Sequence, residues 1–301
     1  MSDNYAIGIS TKEDDHEEES KKKPSIQGFW FPYQEHFEAQ PNDIFVCSFP
    51  KTGTTWLKAL AFAISTRNQV GLKPSPLLTN MPHECVPFLE FDPVHHDKRD
   101  PDQLPLFATH IPYDSLPKSI IESAGCKIIY ICRDPKDTFV SLWYFLTKLT
   151  DTEVCFEKEF DLFCQGKSGF GPFWDHVLGF WKASLESPER ILFLKYEDMK
   201  KDHNLFYVRR LAEFMNQPFT KEEEDKQLPK KIMDLCSFGN LSSLEVNKNE
   251  KYFAEFGIKN SAFFRKGEIG DWKNHLTKEM AETIDRISEE KLGTCGLKFG
   301  A

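Results

Sequence analysis

Residues 44–56 constrain this chain more than any other stretch. Ile44-Phe45-Val46-Cys47-Ser48 is a short, apolar, β-prone run, with Pro41-Asn42-Asp43 before it and Pro50 after it, and it reads as a fully buried strand. The polar turn Lys51-Thr52-Gly53-Thr54-Thr55 follows, and the Ala and Leu content of Trp56 to Ile64 predicts a helix. A strand of this kind belongs to a parallel sheet covered on both faces, and the turn after it sits at the sheet's carboxyl edge. Backbone N–H groups at a helix start point where an anion can sit; Lys51 adds a mobile charge, and Thr54 and Thr55 add hydroxyl donors. The expected ligand is a phosphate. The turn is not a Walker A loop, because Lys51 precedes the lone Gly53 instead of following a second glycine. An ordinary capped helix after a Pro-Lys turn is the plainer alternative.

The theme recurs downstream. Leu106-Phe107-Ala108 reads as a short strand, Lys127 to Cys132 as a buried one, and Lys136 to Leu149 as a helix. Ile191 to Leu194 reads as another buried strand, while Phe173 to Ala183 and Asn204 to Met215 have helical apolar spacing. This alternation predicts an α/β fold: a central parallel sheet flanked by helices, with a P-loop-like phosphate-binding strand, loop and helix. A chain of 301 residues could hold one large domain or two small ones. No internal repeat or Gly/Ser/Pro linker marks a boundary, so one domain over residues 26–301 is expected. Met1 to Ser25, with its acidic cluster Glu13 to Glu19 and then Lys21, Lys22 and Lys23, is expected to be a disordered tail.

Composition narrows the ligand class. A formal net charge of -9 argues against non-specific nucleic-acid binding, so any anionic ligand must meet a local basic site. The 8 cysteines form no CxxC pair and follow no stretch resembling a secretory leader, which reads as reduced thiols in a cytoplasmic protein. The longest apolar runs, such as Ala59 to Ile64, fall far short of the ~20 residues that cross a bilayer, so no membrane partner is expected. The 27 Phe suit a dense core or a pocket for a ring-shaped ligand.

Two further basic clusters lie at expected loop positions. In Tyr130-Ile131-Cys132-Arg133-Asp134-Pro135-Lys136-Asp137, Arg133 stands at a strand end and Ser141 about one turn into the next helix. Arg offers a planar fork of donors to a phosphate, and Ser141 can join from the same face. The alternative is an Arg paired with Asp134 or Asp137. Phe264-Arg265-Lys266-Gly267-Glu268-Ile269-Gly270-Asp271-Trp272 sets two cations beside two glycines, so backbone could approach a ligand closely; a plain basic loop is the alternative. Three such sites suit a nucleotide with more than one phosphate cluster. His110 follows the short strand, where its side chain would face the sheet's ligand crevice, and its economical role is general base. His95 and His96 read as surface, His176 as core, and no ligand-spaced His/Cys set predicts a metal.

With these segments assembled, the chain resembles the cytosolic sulfotransferase family, and its plant branch in particular. FPKTGTTW, FATHIPYDSLP, YICRDPKDTFVSLW, FLKYEDM and FRKGEIGDWKNHL occur in family order at family-like spacing, from about Gln27 to the C-terminus. The resemblance implies transfer of a sulfuryl group from 3'-phosphoadenosine 5'-phosphosulfate (PAPS) to a hydroxyl of a small, largely apolar acceptor, with no metal. It implies that Lys51, Thr52, Gly53, Thr54, Thr55 and Trp56 bind the 5'-phosphosulfate end, with Lys51 contacting the bridging oxygen and Trp56 stacking on adenine opposite Phe238. Arg133, Ser141, Arg265, Lys266 and Gly267 would hold the 3'-phosphate, Tyr196 would hydrogen-bond the adenine, and His110 would be the catalytic base. Ala108 stands where many animal members have Lys, as it often does in the plant branch. Gly28-Phe29-Trp30-Phe31-Pro32 runs almost directly into Tyr33, where relatives carry a further stretch that shapes the acceptor side. The dimerisation pattern KxxxTVxxxE is matched at Lys273, Thr277 and Glu282 with Lys278 in place of Val, leaving monomer or weak homodimer open. A non-catalytic nucleotide-binding relative and a nucleotide kinase are the rival readings.

Overall fold

The computed structural model of the protein describes residues 37–68, 74–90, 104–150, 154–201, 205–252 and 258–299. The expected tail, the segment from Gly28 to His36, and His95 and His96 lie outside these residues.

Four strands form the central sheet: β1 (Ile44–Ser48), β2 (Leu106–Thr109), β3 (Lys127–Cys132) and β4 (Ile191–Lys195). Their order is β2-β1-β3-β4 and every pairing is parallel. Because side chains alternate along a strand, each strand feeds two cores. Phe45, Cys47, Phe107, Ile128, Tyr130 and Cys132 pack on one face, against Phe139 and Val140 of the Pro135–Thr150 helix and Phe173, Val177 and Phe180 of the Phe173–Glu186 helix. Val46, Leu106, Ala108, Ile129, Ile131 and Leu194 pack on the other, against Leu57 and Leu60 of the Thr54–Thr66 helix and Val208 and Leu211 of the Leu205–Phe214 helix. Double coverage is why the strands carry unbroken apolar runs. The aromatic excess is largely core: Tyr130 stacks on Phe180 at 4.2 Å between centroids, and Phe49 meets Phe173 edge-on at 5.1 Å.

The strand order places a crevice. β1 lies between β2 and β3, so the chain leaves it for one side and later returns to the other, and the loops after β1 and β3 part around an opening at their carboxyl ends. The expected strands and helices form here with shifts of a few residues at their ends. One shift bears on the site: the helix after β3 begins at Pro135, which puts Ser141 in its second turn. A further segment was not legible. Phe88 bridges Ala108 on the outer edge of β2, through Leu89 N–H to Ala108 O (2.9 Å) and Ala108 N–H to Pro87 O (2.8 Å), and carries His83 and Glu90 to the crevice.

Candidate active site

The loop after β1 is held by its own strain and by clips to the sheet. Lys51 (φ 71°) and Gly53 (φ 117°) both adopt left-handed backbone. Only glycine fits at 53, because a Cβ there would lie 2.9 Å from the Tyr196 ring and 3.1 Å from Ile131. Thr52, expected among the binding residues, turns inward instead: it is fully buried, and its hydroxyl is shared between the carbonyls of Phe49 (2.8 Å) and Ile131 (3.0 Å). It fastens the loop to β3 and does not line the cavity. Gly53 provides no side-chain cap, and the first helical bond runs from Leu57 N–H to Gly53 O (3.0 Å), so the amides of Thr54, Thr55 and Trp56 precede the helix's own hydrogen bonding. The Thr54 hydroxyl meets Ser48 Oγ at 2.6 Å, and Thr55 Oγ1 meets His83 Nε2 at 3.2 Å. The Lys51 ammonium lies 4.1 Å from the Phe145 ring centre and 5.3 Å from that of Phe263. Burial, and then the charges of Lys148, Arg133 and Arg265, push its pKa down to about 7.

His110 is fixed on every side but one. Its amide donates to Glu90 Oε1 (2.6 Å), and His176 Nε2–H donates to its carbonyl (3.0 Å) while Tyr130 donates to His176 Nδ1 (2.9 Å). The His110 ring packs against Phe88 at 4.8 Å and Phe170 at 5.3 Å. Nδ1–H donates to the Ser48 carbonyl at 2.7 Å, which sets the tautomer and leaves the lone pair on Nε2. Burial lowers the imidazole's pKa to about 3, offset only in part by the Ser48 bond, so the ring is neutral at ordinary pH.

The other cations gather around Tyr196 and the loop 264–272. The Arg133 guanidinium stacks over Tyr196 at 4.8 Å, donates to Glu268 O at 2.6 Å, and lies 3.5 Å from Asp137 Oδ2. The Arg133–Asp137 pairing that the sequence offered as an alternative forms alongside exposure of Arg133 to the cavity, and Arg265 and Lys266, which also line it, both bond Asp271. Burial pushes the Asp271 carboxyl up, but hydrogen bonds from Lys266, Arg265 and Asn274 outweigh it and hold the group well below the usual carboxylate range. The Tyr196 hydroxyl donates to Gly267 O at 2.9 Å, so its proton is committed to the loop and only its lone pairs face outward. Gly267 (φ 65°) lies so close to Phe238 that a Cβ would come within 2.6 Å of the ring. Two buried donors, Arg133 Nε and Arg265 Nε, have no partner among the described residues. Unpaired donors of this kind, with the free helix amides, suit an anion.

These groups line one cavity of about 1100 Å³: Lys51, Gly53, Thr54, Thr55, Trp56, His110, Arg133, Ser141, Tyr196, Phe238, Arg265, Lys266 and Gly267 all face it. Its further wall is apolar and aromatic, with Phe88, Leu142, Trp143, Phe145, Leu146 and Phe170. That wall and His83 escaped the sequence reading. A Trp or Leu at helical spacing carries no mark of facing a cavity, and His83 in Met81-Pro82-His83-Glu84 has no motif. Among the described residues no group of three or more His, Cys, Asp or Glu could hold a metal, and no helix is long and apolar enough to cross a membrane.

The family described as Sulfotransferase domain matches residues 41–296. Cytosolic sulfotransferase 17 of Arabidopsis thaliana is 52% identical over 91% of this chain and 81% of its own length. Flavonol 4'-sulfotransferase of Flaveria chlorifolia is 52% identical over 88% of this chain and 83% of its own. A mouse sulfotransferase crystallised with PAP superposes with a TM-score of 0.67, at 28% identity, over 87% of this chain and 89% of that one.

Proposed function

Since the chain belongs to the cytosolic sulfotransferase family and is a PAPS-dependent sulfotransferase, we propose that His110 takes the acceptor's proton and that the Lys51–Trp56 loop holds the phosphosulfate end of the donor. The observation that carries this reading is the 2.7 Å bond from His110 Nδ1–H to the Ser48 carbonyl. It spends one nitrogen on orientation and keeps the other unprotonated in the cavity that Lys51 also lines.

When bound, PAPS supplies an activated sulfuryl group. The chain's residues supply position and charge. His110 Nε2 accepts the hydroxyl proton as the acceptor oxygen bonds sulfur. Lys51, with the amides of Thr54, Thr55 and Trp56, meets the charge that develops where the sulfur–oxygen bond to the 5'-phosphate breaks. Arg133, Ser141, Arg265, Lys266 and the Gly267 backbone hold the 3'-phosphate, and Trp56 and Phe238 flank the adenine. Tyr196 braces the Gly267 carbonyl and Thr52 the loop.

For the acceptor we favour a flavonol. A relative 52% identical is named a flavonol 4'-sulfotransferase, and the aromatic wall of Phe88, Trp143, Phe145 and Phe170 suits a flat fused ring. An acceptor panel with labelled PAPS tests this: a flavonol should exceed a hydroxysteroid, a desulfoglucosinolate and a hydroxyjasmonate in kcat/KM, and preference for any of these three would overturn the assignment. His110→Ala should lose at least ~10²-fold in kcat while its Kd for PAP stays within about threefold of wild type. Unchanged turnover would remove His110 from the base role.

A further inference from the structure

Among the described residues, His83 is the one histidine of the cavity wall for which the proposed reaction has no use. It is 3% exposed, on the short helix Pro82–Cys85, and its ring is enclosed by Phe263 (4.7 Å), Phe88 (5.1 Å) and Tyr252 (5.5 Å). Nε2 reaches Thr55 Oγ1 at 3.2 Å, and Nδ1 is buried with no partner among the described residues. Burial, followed by the charges of Lys58, His110 and Lys51, keeps the ring neutral, so it carries one proton and must place it on one nitrogen or the other.

The two tautomers differ in what they leave unpaired. With the proton on Nδ1, a buried N–H would be orphaned, the rarer kind of defect; with the proton on Nε2, only a lone pair is orphaned. The second choice also fixes Thr55. A hydroxyl that accepts from Nε2–H has its own proton free, and Thr55 faces the cavity beside the amides that begin the Thr54–Thr66 helix. Under the first choice that proton would point back at the imidazole, and the hydroxyl would present only lone pairs to an anion.

We propose that His83 is a positioning residue for the sulfuryl donor: its Nε2–H donates to Thr55 Oγ1 and so obliges the Thr55 hydroxyl to donate to the anionic 5' end of the nucleotide. The inference rests on the reading of this cavity as the PAPS site. Nothing in the sequence marks it, because His83 and Thr55 meet only when the Phe88 bridge docks on β2.

The test compares His83→Phe, which keeps a ring in the aromatic cage and removes the donor, with His83→Gln, whose side-chain amide can still donate to Thr55. PAP affinity is measured by calorimetry and PAPS turnover by labelled transfer. His83→Phe should weaken PAP binding about 10-fold and raise the KM for PAPS similarly with kcat within about threefold, since a charge-assisted hydrogen bond is lost from ground and transition states alike. His83→Gln should stay within about threefold of wild type in both. In the Thr55→Val background, His83→Phe should add nothing. Wild-type affinity in His83→Phe, or additive losses in the double variant, would overturn the proposal. Nitrogen-15 spectra of the wild-type ring supply a readout that needs no variant to fold: the proton should sit on Nε2 at pH 7, and an Nδ1–H ring would overturn the proposal. Wild-type protein that binds no PAP would instead bring down the site reading on which it rests.

Discussion

Burial first, and then the charges of Lys148, Arg133 and Arg265, make the Lys51 ammonium give up its proton more readily than one in water, and the two aromatic rings that it faces at 4.1 and 5.3 Å do not offset this. With its pKa near 7, Lys51 is partly neutral at physiological pH until an anion arrives and recharges it. The sign follows from linkage. Below pH 7 the group is protonated with or without ligand, and affinity for PAP is full. Above pH 7 binding must first take up a proton, and affinity falls by up to ~10-fold per pH unit until the raised pKa of the complex is passed. Calorimetry at pH 6, 7 and 8, in buffers of different ionisation heat, should show proton uptake growing with pH; Lys51→Met should abolish it. His110 adds no such limb near neutrality, since its pKa lies at about 3. Both residues were legible in the sequence as a cation in a turn and a histidine at a strand end. The inward turn of the Thr52 hydroxyl is not legible in the sequence, because a hydroxyl in a polar turn looks the same whether it faces ligand or backbone, and its partner Ile131 stands 79 positions away.

At the scale of the element, the loop 264–272 depends on its backbone conformation. Gly267 sits at φ 65° with its missing Cβ directed at the Phe238 ring, while its carbonyl accepts from Tyr196. Gly267→Ala therefore has to strain the backbone, displace Phe238 or break the Tyr196 bond. It is expected to weaken PAP binding at least ~10-fold while lowering the melting temperature only slightly, as the loop lies at the surface of the fold. Binding by calorimetry beside a melting curve checks both halves; unchanged affinity would mean that the close approach to Phe238 has no part in the site. The strands and main helices were readable to within a few residues because each is specified by its own apolar pattern. The segment around Phe88 was not, since a single bridge to β2 leaves no periodicity behind.

At the scale of the molecule, a chain of net charge -9 concentrates Lys51, Arg133, Lys200, Arg265 and Lys266 on one cavity and balances them with few acids. Asp137, fully buried, is the acid that joins the parts: it lies 3.5 Å from Arg133 and accepts from the amides of Gly270 (2.7 Å) and Trp272 (3.0 Å), tying the helix after β3 to the C-terminal loop. Asp137→Ala leaves the buried Arg133 charge without its carboxylate and two amides unpaired, and should lower stability by about 3–5 kcal/mol, measured by urea unfolding. A loss under ~1 kcal/mol would show that water replaces the carboxylate readily. The sequence by itself determined the parallel sheet, the phosphate-type turn, the basic loops and the histidine at the strand end, because unbroken apolar runs and the polar residues that end them are local features. Only the tertiary structure decided which side chains meet. Thr55 finds His83 28 positions on, and the His110 amide finds Glu90 20 positions back. A sequence states what each group can donate or accept; the crossing of the chain at the edge of β2 selects its partner.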